Sequence, residues 1–332
     1  MSRPALRIGL VGAGGIAHAH LPNLLKLGEV VVHSTAGAPE LVAAFGGQVA
    51  HSLPDLLDRV DVVDVAVPTF AHAEIVRAAL AAGKPVISEK PLALTDADAA
   101  DLAARAESAG LPLYPAHVVR FFPEYVRLKE AVDAGTLGDL AVLRFSRSGA
   151  FPTRTKWFAD HALSGGIIMD QMIHDLDMAR WIAGDVVRVS AVTARIPDDE
   201  NPVEAAHVLL THASGAISHV AGLWGPQHLA FSTEYSVTGT RGSLAHSSPV
   251  ERDYRADLAA SGTSDGYLPQ IDPAEDPYYL ELREFLRAIQ GGPAPRVTAA
   301  DGVAAVSLAN AALRSLETGQ PVEVPSLSGV VA

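Results

Sequence analysis

The apolar residues of the first third of the chain fall into short continuous blocks separated by amphipathic stretches. LRIGLVGAG reads as a strand entering a turn, IAHAHLPNLLKLG as a helix, and EVVVHS as a second strand. VDVVDVAVP is a β run, apolar except for Asp61 and Asp64, followed by a helix over AHAEIVRAALAAG. KPVISEKP is a strand leaving into a loop, TDADAADLAARAESAG a helix capped by Thr95, and LPLYPAH a further strand. Strands with no polar face, alternating with helices, predict a parallel sheet covered on both sides. This part is read as doubly wound α/β.

The period changes near residue 120. FPEYVRLKEAVDAG predicts a helix, LAVLRFSRSG a strand, and residues 165–183 another helix. Then come longer β runs, VVRVSAVTARI, EAAHVLLTHAS, GAISHVAGLW, LAFSTEYSVTGT and RGSLAH, joined by short turns such as Ala-Ser-Gly and Gly-Thr-Arg-Gly. That pattern predicts an antiparallel sheet. PYYLELREFLRAIQ carries Leu282, Phe285, Leu286 and Ile289 at helical spacing, and a last helix covers TAADGVAAVSLANAALRSLETG. The segment 248–276, rich in Ser, Pro, Asp and Gly, is read as a loop or lid.

Composition narrows the chemistry. The 332 residues, 48% of them hydrophobic, favour two domains. With no cysteine, disulfides, thiolate metal sites and cysteine nucleophiles are excluded. A formal charge of −13 with no basic run argues against nucleic-acid binding and anionic membranes. The N-terminus lacks the apolar run and cleavage site of a signal peptide, so a cytoplasmic protein is expected.

Gly12-Ala13-Gly14-Gly15-Ile16-Ala17 follows a strand and opens a helix, in the pattern G-x-G-x-x-A. The first Gly permits a tight turn, the second lets backbone N–H groups approach a pyrophosphate, and the small sixth residue lets helix and strand pack closely. The helix N-terminus favours the anion. Gly12, Ala13, Gly14, Gly15 and Ile16 are therefore candidate contacts for NAD or NADP. The second strand ends His33-Ser34-Thr35-Ala36-Gly37, without the acid that binds a ribose 2′-hydroxyl and repels a 2′-phosphate. Ser34 and Thr35 can bond a 2′-phosphate, but no Arg or Lys follows before Arg59. The balance tips slightly to NADP.

Residues 164–177, SGGIIMDQMIHDLD, carry the densest chemistry. Asp170 and His174 are four apart on a predicted helix, hence on one face. A carboxylate so placed fixes a His tautomer and raises its basicity, as a general base requires. Asp177 shares the face, whereas Asp175 is expected to be a solvated surface charge. A structural pair remains open as an alternative. A metal site needs more ligands than this set offers, and none is assigned.

In order along the chain come GAGGIA, VAVPTFAH at 65–72, AAGKPVISEKPLA at 81–93, HVVRFFP at 117–123, SGGIIMDQMIHDLD, VTGTRGSL at 237–244 and YYLELREFLRAI. Together they resemble the glucose-fructose oxidoreductase / inositol dehydrogenase / rhizopine catabolism (Gfo/Idh/MocA) family over nearly the whole chain. The resemblance implies a Rossmann domain over residues 1–119 and a substrate-binding, oligomerisation α+β domain over 120–332. The second domain should have a large, mostly antiparallel open sheet with helices on one face. That sheet is implied to make homodimer or homotetramer contacts.

The resemblance maps catalytic residues onto Lys90, Asp170 and His174. His174, oriented by Asp170, or Lys90 serves as acid/base, and Lys90 stabilises developing alkoxide charge. Which is the formal base stays open. Pro68, Thr69 and His72 are implied to line the cofactor, with a structural role equally open for His72. Glu89 is expected to face the cofactor ribose or to hold Lys90, and Lys90-Pro91 is a candidate cis peptide. Arg120 orients substrate or ties the domains. Arg147, Arg154, Lys156 and Trp157 precede the Ser-Gly-Gly turn in a region that lines the substrate site, with Trp157 a candidate for stacking on a sugar ring. Asp177 is a candidate substrate contact. His18 and His20 are expected to pack or lie on the surface.

The reading is an NAD(P)-dependent oxidoreductase moving a hydride between nicotinamide and a carbinol or carbonyl carbon of a sugar, inositol or related polyol. A redox-neutral, NAD-assisted glycosidase or lyase and a non-catalytic dinucleotide-binding protein are the alternatives.

Overall fold

The computed structural model describes residues 6–153, 155–198, 202–248 and 276–325. Residues 249–275, nearly all of the predicted loop or lid, and Arg154 lie outside the described residues. The chain divides into two compact units, residues 1–121 with 272–303, and residues 122–271 with 304–332.

The first unit alternates β1 (Arg7–Val11), α1 (Ala17–Leu24), β2 (Glu29–His33), α2 (Ala38–Phe45), β3 (Gln48–Val49), α3 (Leu53–Arg59), β4 (Val62–Val65), α4 (His72–Ala81), β5 (Val86–Glu89), α5 (Asp96–Ala109) and β6 (Leu113–Ala116). All six strands are parallel, in the order β3-β2-β1-β4-β5-β6. The order reverses between β1 and β4, so the carboxyl ends of these strands border the crevice where such sheets bind ligands. As expected from the apolar runs, every residue of β4 is buried. Thr95 caps α5 by accepting a hydrogen bond from the Asp98 N–H at 3.0 Å.

The second unit begins with α6 (Pro123–Asp133) and β7 (Leu140–Ala150), then α7 (His161–Ser164) and α8 (Ile173–Ala183). There follow β8 (Val186–Ile196), β9 (Val203–His212), β10 (Ile217–Gly225), β11 (Ser232–Gly239) and β12 (Gly242–Ser247). After α9 (Pro277–Ile289), whose residues belong to the first unit, come α10 (Ala299–Thr318) and β13 (Val322–Glu323). The sheet has seven strands in the order β12-β11-β7-β10-β9-β8-β13. Only the β7–β10 pair among its described pairings is parallel. Strand β9 buries Glu204, Ala206, Val208, Leu210 and His212 in strict alternation, the mark of a sheet with one covered face. On the outward positions Val192, Ile196, Leu209 and Ile217 stay exposed.

In the first unit Leu282, Phe285 and Leu286 of α9 join Ile8, Leu10, Leu21 and Val32 in one apolar core. No helix among the described residues is long and apolar enough to cross a membrane.

Candidate active site

The glycine loop sits at the carboxyl end of β1. Gly12 has φ +124°, and a Cβ there would run into the Ala66 carbonyl at the end of β4. Only glycine fits so close an approach. Its N–H donates to the His33 carbonyl at 2.8 Å, which ties the loop to the end of β2. Cβ atoms on Gly14 and Gly15 would meet nothing within 4 Å. Both are exposed, while Ala17 is fully buried against the core. The first Gly thus serves the fold, the next two leave room in front of the helix, and the small sixth residue serves packing. These are the features a pyrophosphate cradle requires.

Beside the loop, Ser34 is half-buried and Thr35 exposed at the end of β2. Gly37, just beyond, would bring a Cβ to 3.4 Å from that of Ala13. Arg59, the nearest cation later in the sequence, is engaged elsewhere. It donates to Gln48 Oε1 at 2.6 Å and the Val49 carbonyl at 3.2 Å, and pairs with Asp55.

After β4, Pro68 is half-buried and Thr69 is buried. His72 is 1% exposed, with Nδ1 2.7 Å from the Pro91 carbonyl oxygen and Nε2 2.9 Å from that of Val67. Burial pushes its pKa below 6.5, against the pull of the two carbonyls. Both ring nitrogens serve the chain, so His72 braces the β4 turn against the loop after β5 instead of offering a polar atom to the cofactor.

That loop carries half-buried Lys90, and the Lys90–Pro91 peptide is cis, as the sequence predicts. Glu89 Oε2 accepts a hydrogen bond from the Lys90 backbone N–H at 3.2 Å. Its other oxygen lies 3.0 Å from His20 Nε2, and the side chain is 8% exposed. One Glu89 oxygen thus holds the Lys90 backbone and the other faces His20. His20 takes the packed alternative expected of it: it is fully buried, in an ion pair with Asp64 at 2.7 Å. The overlooked signal was Asp64, an acid inside an apolar strand, which demands a buried partner.

In the second unit the Ser-Gly-Gly turn leads not into a plain α-helix but into a π-turn over Ile168–Met172 before α8. Such turns are frequent at functional sites. A Cβ on Gly222 of β10 would lie 2.5 Å from Met172 Cγ, so this glycine lets the π-turn press onto the sheet. Glu204 of β9 fixes the start of the turn, accepting from the Ile167 N–H at 3.1 Å and pairing with His161 at 3.0 Å. Neither Glu204 nor His161 was singled out from sequence, though an acid on the inward alternation of β9 marks the position.

Across residues 166–179 every side chain is buried except His174, which is half-exposed. Asp170 is 5% and Asp177 2% exposed on the same segment. Asp175 is not solvated: it is fully buried and takes a bidentate ion pair from Arg147 of β7, both bonds at 2.9 Å. This corrects two expectations. The Arg147 guanidinium anchors α8 to the sheet and is not a free substrate ligand. Arg120, 1% exposed, likewise donates to the Arg296 carbonyl at 2.8 Å and pairs with Asp301 at 3.2 Å, so it holds the α9–α10 connection and is not aimed at substrate. Trp157 is half-buried and stacks on Phe158 with ring centroids 3.8 Å apart, which covers one of its faces.

A doubly wound parallel sheet with a glycine loop at its switch point, joined in sequence to an open mixed sheet, defines a class of two-part dinucleotide-dependent enzymes. Residues 6–117 match the family described as "Oxidoreductase family, NAD-binding Rossmann fold", and residues 125–245 match the "GFO/IDH/MocA C-terminal domain". The chain is 30% identical to a myo-inositol 2-dehydrogenase of Thermotoga maritima, over 98% of this chain and 100% of that one. It is 31% identical to a dTDP-3,4-didehydro-2,6-dideoxy-alpha-D-glucose 3-reductase of Streptomyces antibioticus, over 88% of this chain and 91% of that one. Among solved structures, GenD2 from gentamicin A biosynthesis, in complex with NAD, superposes with a TM-score of 0.84 at 28% identity, covering 98% of this chain and 97% of that one. The chain belongs to the GFO/IDH/MocA family of NAD-binding oxidoreductases.

Proposed function

We propose that this protein is a nicotinamide-dependent dehydrogenase or reductase acting on one CH–OH or C=O carbon of an inositol, related cyclic polyol or sugar. Relatives named for myo-inositol and for a nucleotide-linked keto sugar support that substrate class. The observation that carries the site assignment is His174, the one half-open side chain on an otherwise buried segment. A residue that exchanges protons with a ligand needs such an opening, and a packing histidine does not.

The nicotinamide, when bound, supplies the hydride acceptor or donor. Gly12, Ala13, Gly14, Gly15 and Ile16 hold the pyrophosphate at the start of α1, and Pro68 and Thr69 line the cofactor from the β4 turn. Ser34 and Thr35 bond the adenosine ribose. With no acid at that turn and Arg59 occupied elsewhere, the hydroxyls admit either cofactor, and the missing cation favours NAD over the initial lean to NADP. Lys90 donates a hydrogen bond to the reacting oxygen and stabilises its charge as a C–O⁻ develops. His174, its tautomer set by Asp170, takes the hydroxyl proton on oxidation and returns it on reduction. Asp177 bonds a neighbouring hydroxyl, and Trp157 stacks on the substrate ring. Residues 1–119 are the cofactor half and residues 120–332 the substrate half. The outward apolar residues Val192, Ile196, Leu209 and Ile217 support assembly through the open sheet face.

The test is a pair of variants. Lys90→Ala and His174→Ala should each lose roughly 10²–10⁴ in kcat and still bind NAD with unchanged affinity. Near-normal turnover in either removes the role assigned to it.

A further inference from the structure

Outside the residues assigned to chemistry, the first unit buries an unusual group of ionisable side chains. His20 comes from α1, Asp64 from β4, Glu89 from β5 and Glu281 from α9. His20, Asp64 and Glu281 are 0% exposed. His20 Nδ1 lies 2.7 Å from Asp64 Oδ2, and Nε2 lies 3.0 Å from Glu89 Oε1. The second Glu89 oxygen accepts from the Lys90 N–H. The ring of Tyr278 packs on the imidazole with centroids 5.9 Å apart.

We propose that His20 is a positioning residue for the reaction: as a buried imidazolium clamped between Asp64 and Glu89, it fixes the Glu89 carboxylate, and through it the backbone and charge environment of Lys90. The inference rests on the reading of Lys90 as the residue that touches the reacting oxygen.

Three observations carry it. Nδ1 hydrogen-bonds Asp64 and Nε2 stands at ion-pair distance from Glu89, and a ring flanked by a carboxylate at each nitrogen is favoured in its charged form. A fully buried Asp64 in a strand with no other polar residue has no packing reason to be there. And the chain of contacts ends on Lys90, not on solvent. The charge balance agrees. Burial opposes charge on His20, yet the two carboxylates raise its pKa well above 6.5. Glu89 is burdened by burial, yet His20 and Lys90 bring its pKa below 4.5. Glu281 faces the same group from α9. Burial and the Glu89 charge raise its pKa well above 4.5, which disfavours a third anion beside Asp64 and Glu89. His20 and Lys90 then offset Asp64 and Glu89.

A side chain that merely filled space would leave Glu89 and the Lys90 backbone in place when shortened. Removing the imidazolium instead leaves the Glu89 charge without its buried partner and frees the carboxylate that holds the Lys90 N–H to shift. A displacement of that kind costs roughly 10²-fold in rate.

The experiment follows isotope-labelled histidine by NMR in the full-length protein with NAD bound, the His20 signal being assigned from its loss in His20→Gln. The His20 ring is expected to remain an imidazolium at pH values where a free ring of pKa 6.5 is neutral. Titration at or below that value overturns the clamp. In parallel, kcat against pH is measured for His20→Gln and Asp64→Asn with myo-inositol, or with the sugar or polyol that turns over fastest if myo-inositol does not. For His20→Gln we expect kcat down by roughly 10²-fold, the pKa governing kcat moved upward, and NAD affinity within twofold of the parent. Asp64→Asn, which keeps the shape and an acceptor for Nδ1, should lower the His20 pKa and move kcat the same way by a smaller factor; it carries the test if His20→Gln does not fold. Parent-like kcat and pH profile in the folded variants, while Lys90→Ala is inactive, overturns the positioning role alone. An active Lys90→Ala overturns the assignment of Lys90 itself.

Discussion

The Arg147–Asp175 pair gives the sharpest test of how the second unit holds its functional helix. The side chains are 6% and 0% exposed and meet through two bonds of 2.9 Å. Arg147→Met removes the positive charge and leaves the Asp175 carboxyl without that partner inside the protein. Breaking a buried pair in this way costs about 3–5 kcal/mol, out of a total stability of about 5–15 kcal/mol. That corresponds to a rise of roughly 10²–10⁴ in the unfolded fraction. The double variant Arg147→Met/Asp175→Leu removes both charges and should recover most of the loss, since apolar replacements of buried pairs are close to neutral. Urea unfolding followed by the fluorescence of the three tryptophans, applied to these two variants and to the single Asp175→Leu, closes the cycle. A single-variant cost under about 1 kcal/mol, or a stable Arg147→Met whose only defect is a raised KM, would refute the anchoring role and restore Arg147 as a substrate ligand.

Gly12→Ala places a methyl against the Ala66 carbonyl at φ +124° and should abolish dinucleotide binding, read by quenching of protein fluorescence on adding NADH. Ser34→Asp should weaken NADP binding far more than NAD binding, because a carboxylate repels a 2′-phosphate; equal losses reject the placement of the ribose at this turn. Glu281→Gln should be more stable than the parent at neutral pH. The folded carboxyl has a raised pKa, so its contribution is full below the ordinary 4.5 and is lost as pH rises, and the advantage of the glutamine should vanish in melts below that value.

Much of this was legible in the chain because it depends on neighbours in sequence. The glycine loop, the Thr95 cap, the parallel order of apolar strands and the cis Lys90–Pro91 bond are local, or follow from periodicity. Less visible was the stretch α2-β3-α3, where β3 has only two residues and no periodicity to betray it. The π-turn was hidden because the glycine it packs against, Gly222, is fifty residues from Met172. Asp175 and Arg147 were misjudged for a related reason. A charged residue on a helix is usually solvated, and only the tertiary fold places a guanidinium 28 residues earlier against it. His20 and Asp64 lie 44 residues apart, but an acid within an apolar strand was a readable warning.

The central claim is that net hydride transfer occurs between a nicotinamide and a carbinol carbon, with Lys90 and His174 at the reacting oxygen. It is tested most directly by incubating the protein with a panel of inositols and sugars and either NAD or NADP, following the absorbance of the reduced nicotinamide. Stoichiometric appearance of NADH with at least one polyol, and its loss in Lys90→Ala and His174→Ala, is the predicted result. Conversion of a sugar with no net change in the nicotinamide would contradict the account and establish redox-neutral chemistry in its place.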